Sequence, residues 1–196
     1  MSVAIVDSGG ANIASLTYAL RRQHADFVLS TDPDVLKSAS HVILPGVGAA
    51  DDAMRRLEAQ NLTQTLRQLT QPVLGICLGM QLLAAGSAED KATCLGITDD
   101  NAERFTATPR MPVPHMGWNQ IQITRPTPLL TGIASGSYFY FVHSYALAPG
   151  SSAVATCDYG LEFAAVIQQD NFFGTQFHPE RSAAAGAKIL ENFLAL

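Results

Sequence analysis

The stretch from Pro72 to Gly86 constrains this chain more than any other. Val73-Leu74-Gly75-Ile76 reads as a short buried strand that runs into a helix, so the chain must turn sharply between them. Cys77 stands at the bend. Gly75 and Gly79 lie two residues to either side, where a missing Cβ lets strand and helix pack against the turn. Such a nucleophile elbow projects its cysteine from the carboxyl edge of a sheet. Free N–H groups and the positive end of a helix dipole at that position favour the thiolate. The Leu78 N–H is available to an oxyanion. Gln81, four residues on, shares the helix face of Cys77. A buried core cysteine beside packing glycines is the plainer alternative, but two glycines at elbow spacing favour the nucleophile.

The remaining segments build a frame for that edge. Val3 to Val6 is an apolar run suited to a strand buried on both faces, and Asp7 to Asn12 a turn that opens a helix with Asn12 as its cap and Ile13, Leu16, Thr17 and Leu20 inward. Phe27 to Leu29 is a second strand, Asp32-Pro33 begins a short helix, and His41 to Leu44 is a third strand. Pro45-Gly46-Val47-Gly48 follows it. A glycine-rich loop at a strand's carboxyl end exposes amides, so Val47 or Gly48 N–H is a second oxyanion donor or the loop is simply a tight turn. Residues 50 to 69 carry helical spacing through Met54, Leu57, Leu62, Leu66 and Leu69. Beyond Gly86 the pattern changes, with 88 to 108 polar and loop-like. Ile121 to Ile123, Tyr138 to Val142, Ala153 to Thr156, Phe163 to Gln168 and Phe172 to Phe177 read as antiparallel strands continuing the sheet. A closing helix covers Ser182 to Leu196. The expected fold is α/β: a doubly wound, mostly parallel central sheet with helices on both faces and an antiparallel excursion in the C-terminal half.

Length and charge narrow the function. The 196 residues fit one domain, 1–196, able to bury a core by itself. A net charge of −5 with no basic run argues against nucleic acid. No basic leader and no apolar run of bilayer length is present, so a soluble, cytoplasmic protein with no membrane partner is expected. Cys77, Cys94 and Cys157 are widely spaced, which argues against a disulfide framework or a zinc site. Neither a dinucleotide fingerprint nor a phosphate loop appears.

A cysteine nucleophile needs a base, typically a distant histidine oriented by a third group. Of five histidines, His24 lies at a helix end and His41 starts a strand, both positions suited to structural or solvated roles. His178 ends a strand and precedes Pro179-Glu180. Proline holds His178 extended, so Glu180 can reach its ring and fix the tautomer. The expected triad is Cys77, His178 and Glu180. An ordinary turn at 178 to 180 is the alternative.

These residues carry a resemblance. Gly75 to Gln81 together with His178-Pro179-Glu180 resembles the class I glutamine amidotransferases, and Leu44 to Gly48 is similar to their oxyanion loop. Asp7 to Ser15, Pro114 to Asn119, Tyr140 to Tyr145 and Gly174 to Ser182 resemble one group within the class, the glutaminase subunits of imidazole glycerol phosphate synthase in histidine biosynthesis. The resemblance implies a Cys77-His178-Glu180 triad, with Val47 and Leu78 amides as oxyanion donors. It further implies a substrate glutamine held by Gly48, Gln81 and the backbone of Ser144 and Tyr145. Asn12, Trp118, Tyr138 and Arg181 would lie near a partner, a (β/α)8-barrel cyclase subunit in a heterodimer. No metal or cofactor is called for. The glutaminase subunits of anthranilate or aminodeoxychorismate synthesis are disfavoured by the segments at 114 to 119 and 142 to 145. A thiol peptidase, or a redox-sensing or binding protein on the same fold, would leave Glu180 and Gln81 without an evident purpose.

Overall fold

The computed structural model describes residues 2–7, 9, 13–109 and 111–196. Asn12, expected as a helix cap and partner contact, lies outside them. In chain order the first half holds β1 (Ser2–Val6), α1 (Ile13–Arg22), β2 (Asp26–Ser30), α2 (Pro33–Ser38), β3 (His41–Gly46), α3 (Ala50–Ala59), α4 (Leu62–Arg67), β4 (Val73–Cys77) and α5 (Leu78–Gln81). The second half holds β5 (Gly86–Ser87), β6 (Ala92–Thr93), β7 (Asn101–Arg104), β8 (His115–Gln120), β9 (Gln122–Ile123), β10 (Tyr138–His143), β11 (Tyr145–Leu147), β12 (Ala153–Asp158), β13 (Glu162–Gln169), β14 (Phe172–Thr175) and α6 (Ala183–Leu194).

The eight-stranded sheet runs β2-β1-β3-β4-β14-β13-β12-β9. Every pairing from β2 through to β14 is parallel, and those beyond are antiparallel. Parallel strands buried on both faces must feed two layers, and they do. Val3 and Ile5 join the core beneath α1 and α6, while Ala4 and Val6 join the one beneath α2, α3 and α4. Asp32 caps α2 by accepting from the Asp34 N–H at 2.8 Å. Asn61, with φ 57°, breaks the helical stretch after β3 into α3 and α4.

Two expected strands lie elsewhere than the sequence suggests. Phe172 to Thr175 sits in the middle of the sheet and pairs in parallel with β4, antiparallel only with β13. Tyr138 to His143 leaves the main sheet and forms a separate antiparallel pair with β8. Its alternation is strict, with Phe139, Phe141 and His143 buried and Tyr138 exposed, so one face must meet the core and the other is left outward. The polar stretch after Gly86 also supplies β6 and β7 to a small sheet, β11-β7-β5-β6, in which β5 and β6, two residues each, carry no readable period.

Candidate active site

Cys77 ends β4 with φ 55° and ψ −110°, a conformation that a side-chain-bearing residue adopts only when its surroundings force it, at a cost of about 1–3 kcal/mol. The forcing is visible in the glycines. A Cβ on Gly79 would overlap the Leu44 carbonyl oxygen of β3, and one on Gly75 would come within 2.6 Å of the Gly79 oxygen. Leu78 is the first residue of α5, so its N–H has no partner within the helix. That helix is a single turn, shorter than the sequence suggests, and the dipole it adds at Cys77 is correspondingly small. Gly46 is the register partner of Cys77 on β3, which sets the following loop beside the sulfur. Val47, Gly48, Cys77 and Leu78 all line one cavity of about 310 Å³.

His178 and Glu180 line the same cavity. The ring Nδ1 lies 2.8 Å from Glu180 Oε1, with both side chains nearly buried. His178 itself is extended, but Pro179 to Arg181 forms a short 3-10 turn, and this turn brings the carboxylate to the ring. Burial lowers the pKa of the ring; the pull of the nearby Cys77 and the hydrogen bond and charge of Glu180 outweigh it and push it up to about 10. Among the described residues His178 Nε2 has no hydrogen-bond partner, and the Cys77 thiol donates to Val142 O at 3.7 Å. Glu180 thus fixes the ring's orientation through Nδ1 and leaves Nε2 on the side of the cavity that Cys77 also lines. Cys94 and Cys157 are buried away from the cavity, and burial pushes their thiols up to about 11 and about 12.

The expected substrate contacts are placed as follows. Gln81 lines the cavity, but its Nε2 is committed to Tyr145 O at 2.8 Å and Gln176 Oε1 at 2.9 Å, leaving only its own oxygen for a ligand. Ser144 and Tyr145 also line the cavity. Their carbonyls are taken, Ser144 O by the Phe105 N–H and Tyr145 O by Gln81 and the His143 Nδ1–H. The His143 ring accepts in turn from His115 Nδ1–H at 3.1 Å. Burial drives the pKa of these two rings down, to about 3 for His143 and about 4 for His115, so they stay neutral and brace the Tyr145 carbonyl. His24 is exposed and His41 packs edge-on against Phe193.

Trp118 and Tyr138 face outward on the β8–β10 pair, 52% and 55% exposed, beside Met116 at 63%. They are not core aromatics. Arg181 lies over the Tyr140 ring at 4.7 Å, Tyr140 meets Trp118 edge-on, and Arg181 reaches the cavity rim. The aromatic face thus borders the cavity mouth.

Three groups escape a reading of the sequence. Gln176 is fully buried with its Nε2 3.7 Å from Cys77 Sγ. Glu89 places a carboxylate on the cavity wall, its Oε2 accepting from the Ala50 N–H at the start of α3. Ser182 and Tyr140 bracket the His178 backbone: the His178 N–H donates to Tyr140 O, and Ser182 Oγ donates to His178 O while accepting from the Tyr140 N–H. Only the polarity of Glu89 in a plain loop, and the position of Gln176 two residues before His178, gave any signal.

Comparison with known proteins assigns this arrangement to a family. The sequence profile of the class I glutamine amidotransferases matches residues 4–196. The chain belongs to this family. Among its amidotransferase relatives, the imidazole glycerol phosphate synthase subunit HisH 1 of Vibrio vulnificus is 46% identical, covering 99% of this chain and 98% of that protein. The subunit HisH 2 of Legionella pneumophila is 49% identical, again over 99% and 98%. Within the family the chain stands with these HisH subunits. A solved structure of a putative GMP synthase component from Thermoplasma acidophilum superposes with a TM-score of 0.77 over 100% of this chain and 92% of that one. At 18% identity it shares the amidotransferase fold. No helix among the described residues is long and apolar enough to cross a membrane.

Proposed function

We propose that residues 1–196 act as one domain, the glutaminase subunit of an imidazole glycerol phosphate synthase, which hydrolyses glutamine in the cytoplasm and hands the ammonia to a (β/α)8-barrel cyclase subunit. The observation that carries this reading is the convergence of Cys77 and the hydrogen-bonded His178–Glu180 pair on one cavity, in a chain nearly half identical to HisH subunits over its full length.

The Cys77 thiolate attacks the side-chain amide carbon of glutamine, and the carbonyl electrons move onto oxygen, facing the Leu78 and Val47 amides. Collapse of this oxyanion breaks the C–N bond as His178 Nε2 gives its proton to the nitrogen, which leaves as ammonia. A water then loses a proton to His178 and attacks the thioester, and collapse expels Cys77 as thiolate beside the recharged ring. Glutamine and water become glutamate and ammonia. Gly48, the Gln81 oxygen and the Ser144–Tyr145 backbone hold the substrate, with Glu89 facing its α-ammonium group.

Free ammonia is captured as ammonium in neutral water and loses its nucleophilicity, so an acceptor has to be close. The exposed Met116, Trp118 and Tyr138 face, which borders the cavity mouth through Tyr140 and Arg181, is where the cyclase docks. The test is glutamate release by the chain alone and with the cyclase plus its nucleotide substrate, with Cys77→Ala as blank. Stimulation that vanishes in the variant is expected. Glutamate release by Cys77→Ala at the wild-type rate would overturn the assignment.

A further inference from the structure

Gln176 has no exposed surface, and it follows Thr175, the last residue of β14 in register with β4. Its backbone is fixed by the N–H bond to Ala165 O at 2.9 Å. The direction of its side chain is fixed as well. A backbone carbonyl only accepts, so the contact of Gln81 with Tyr145 O at 2.8 Å requires the Gln81 amino group on that side. The second hydrogen of the same group points at Gln176, 2.9 Å away, which must therefore present Oε1. Its own amino group is left facing the Cys77 sulfur at 3.7 Å.

We propose that Gln176 is a further catalytic residue of this centre, its side-chain N–H donating to the Cys77 sulfur and stabilising the thiolate before attack and again when the thioester breaks. The sulfur has few other sources of such help. Its thiol hydrogen goes to Val142 O, a contact that favours the protonated form and turns repulsive once the proton is gone. The single turn of α5 contributes little dipole. His178 carries the opposing charge, but it surrenders its proton to the leaving nitrogen and has to recover it. An amide N–H has no such cycle, and a hydrogen bond to an ionised acceptor in a closed site is stronger than one to a neutral acceptor. Gln81 acts one step further out, as the residue that aims the donor.

This inference rests on Cys77 being the nucleophile, and the test separates the two. Alkylation of Cys77 by iodoacetamide is followed against pH in the chain alone, by mass spectrometry of its peptide, with melting temperature as the check on folding. Gln176→Met keeps the length and removes the donor. Gln176→Glu keeps the shape and the acceptor for Gln81 while replacing the amino group with oxygen. The midpoint of reactivity is expected to rise by about one pH unit in Gln176→Met and further in Gln176→Glu, which places an anion beside the sulfur. A folded Gln176→Met whose midpoint matches wild type overturns the role of Gln176 alone. Should that variant not fold, Gln176→Leu, which likewise removes the donor without adding a charge, carries the same comparison. If glutamine fails to protect wild-type Cys77 from the reagent, the nucleophile reading falls, and this inference with it.

Discussion

Gly174 on β14 and Gly75 on β4 are register partners in neighbouring parallel strands. Counting forward from that pair, Thr175 stands beside Ile76, and the next residue of each chain, Gln176 and Cys77, lie side by side at the carboxyl edge. On the opposite flank Gly46 is the partner of Cys77. The sulfur is thus enclosed by a glycine loop on one strand and by the segment leading to His178 on the other. A slip of one residue in either ladder would turn the neighbouring side chains to the other face of the sheet.

The close approach at the elbow predicts the effect of one methyl group. Gly79→Ala directs its Cβ into the Leu44 carbonyl, a backbone atom that cannot rotate away. The strand and helix must part, with a loss of about 2 kcal/mol or more and a fall in Tm of about 4–8 °C. Differential scanning calorimetry measures this directly, and a variant melting with wild type would show that the turn has slack.

The His178–Glu180 pair predicts a pH dependence. The ring is pushed up to about 10, so it remains protonated through neutral pH and titrates on the alkaline side. Glu180→Gln removes an anion and a charge-assisted hydrogen bond that both favour the protonated ring, so the midpoint must move down, toward the ordinary 6.5. The alkaline limb of glutamine hydrolysis moves the same way, because His178 has to carry a proton for the leaving nitrogen. NMR titration of the ring in the two proteins checks the shift, and a wild-type ring half-titrated near 6.5 would remove its basis.

What was legible in the sequence is what local chemistry dictates. A cysteine between two glycines at a strand end, or a histidine before proline and glutamate, has few conformational options, so Cys77, His178 and Glu180 stand out before any fold is known. The β-α alternation of the first half is equally local, since each strand and helix carries its own period. Strand neighbours in the second half are set by pairing over long sequence distances. Nothing in Phe172 to Thr175 states that it will lie parallel to β4 while antiparallel to β13, and nothing in Tyr138 to His143 that it will leave the sheet. Gln176 looks like any polar residue after a strand until that register puts it on the sulfur. For Trp118 and Tyr138 only the resemblance points to a partner-facing position, because exposure depends on a hairpin partner that composition does not name.

The aromatic face gives a prediction about assembly. Trp118→Ala removes a large exposed ring that braces no core element, so folding should be unaffected while the contact with the cyclase weakens. Buried tryptophans at interfaces commonly contribute about 2 kcal/mol or more, so Kd should rise about thirtyfold. Calorimetric titration with the cyclase reads this, and an unchanged Kd with an unchanged Tm would move the docking face elsewhere.

Glu89 gives the last prediction. One of its oxygens already accepts from the Ala50 N–H, and Glu89→Gln keeps an oxygen for that bond. What the substitution removes is the negative charge on the cavity wall. A substrate glutamine carries its α-ammonium far from the reacting amide, so the loss weakens binding in the ground state and the transition state alike. KM for glutamine should rise about tenfold while kcat changes little. A fall in kcat at constant KM would instead place Glu89 at the reacting amide, and no change in either would leave it as the cap of α3 alone.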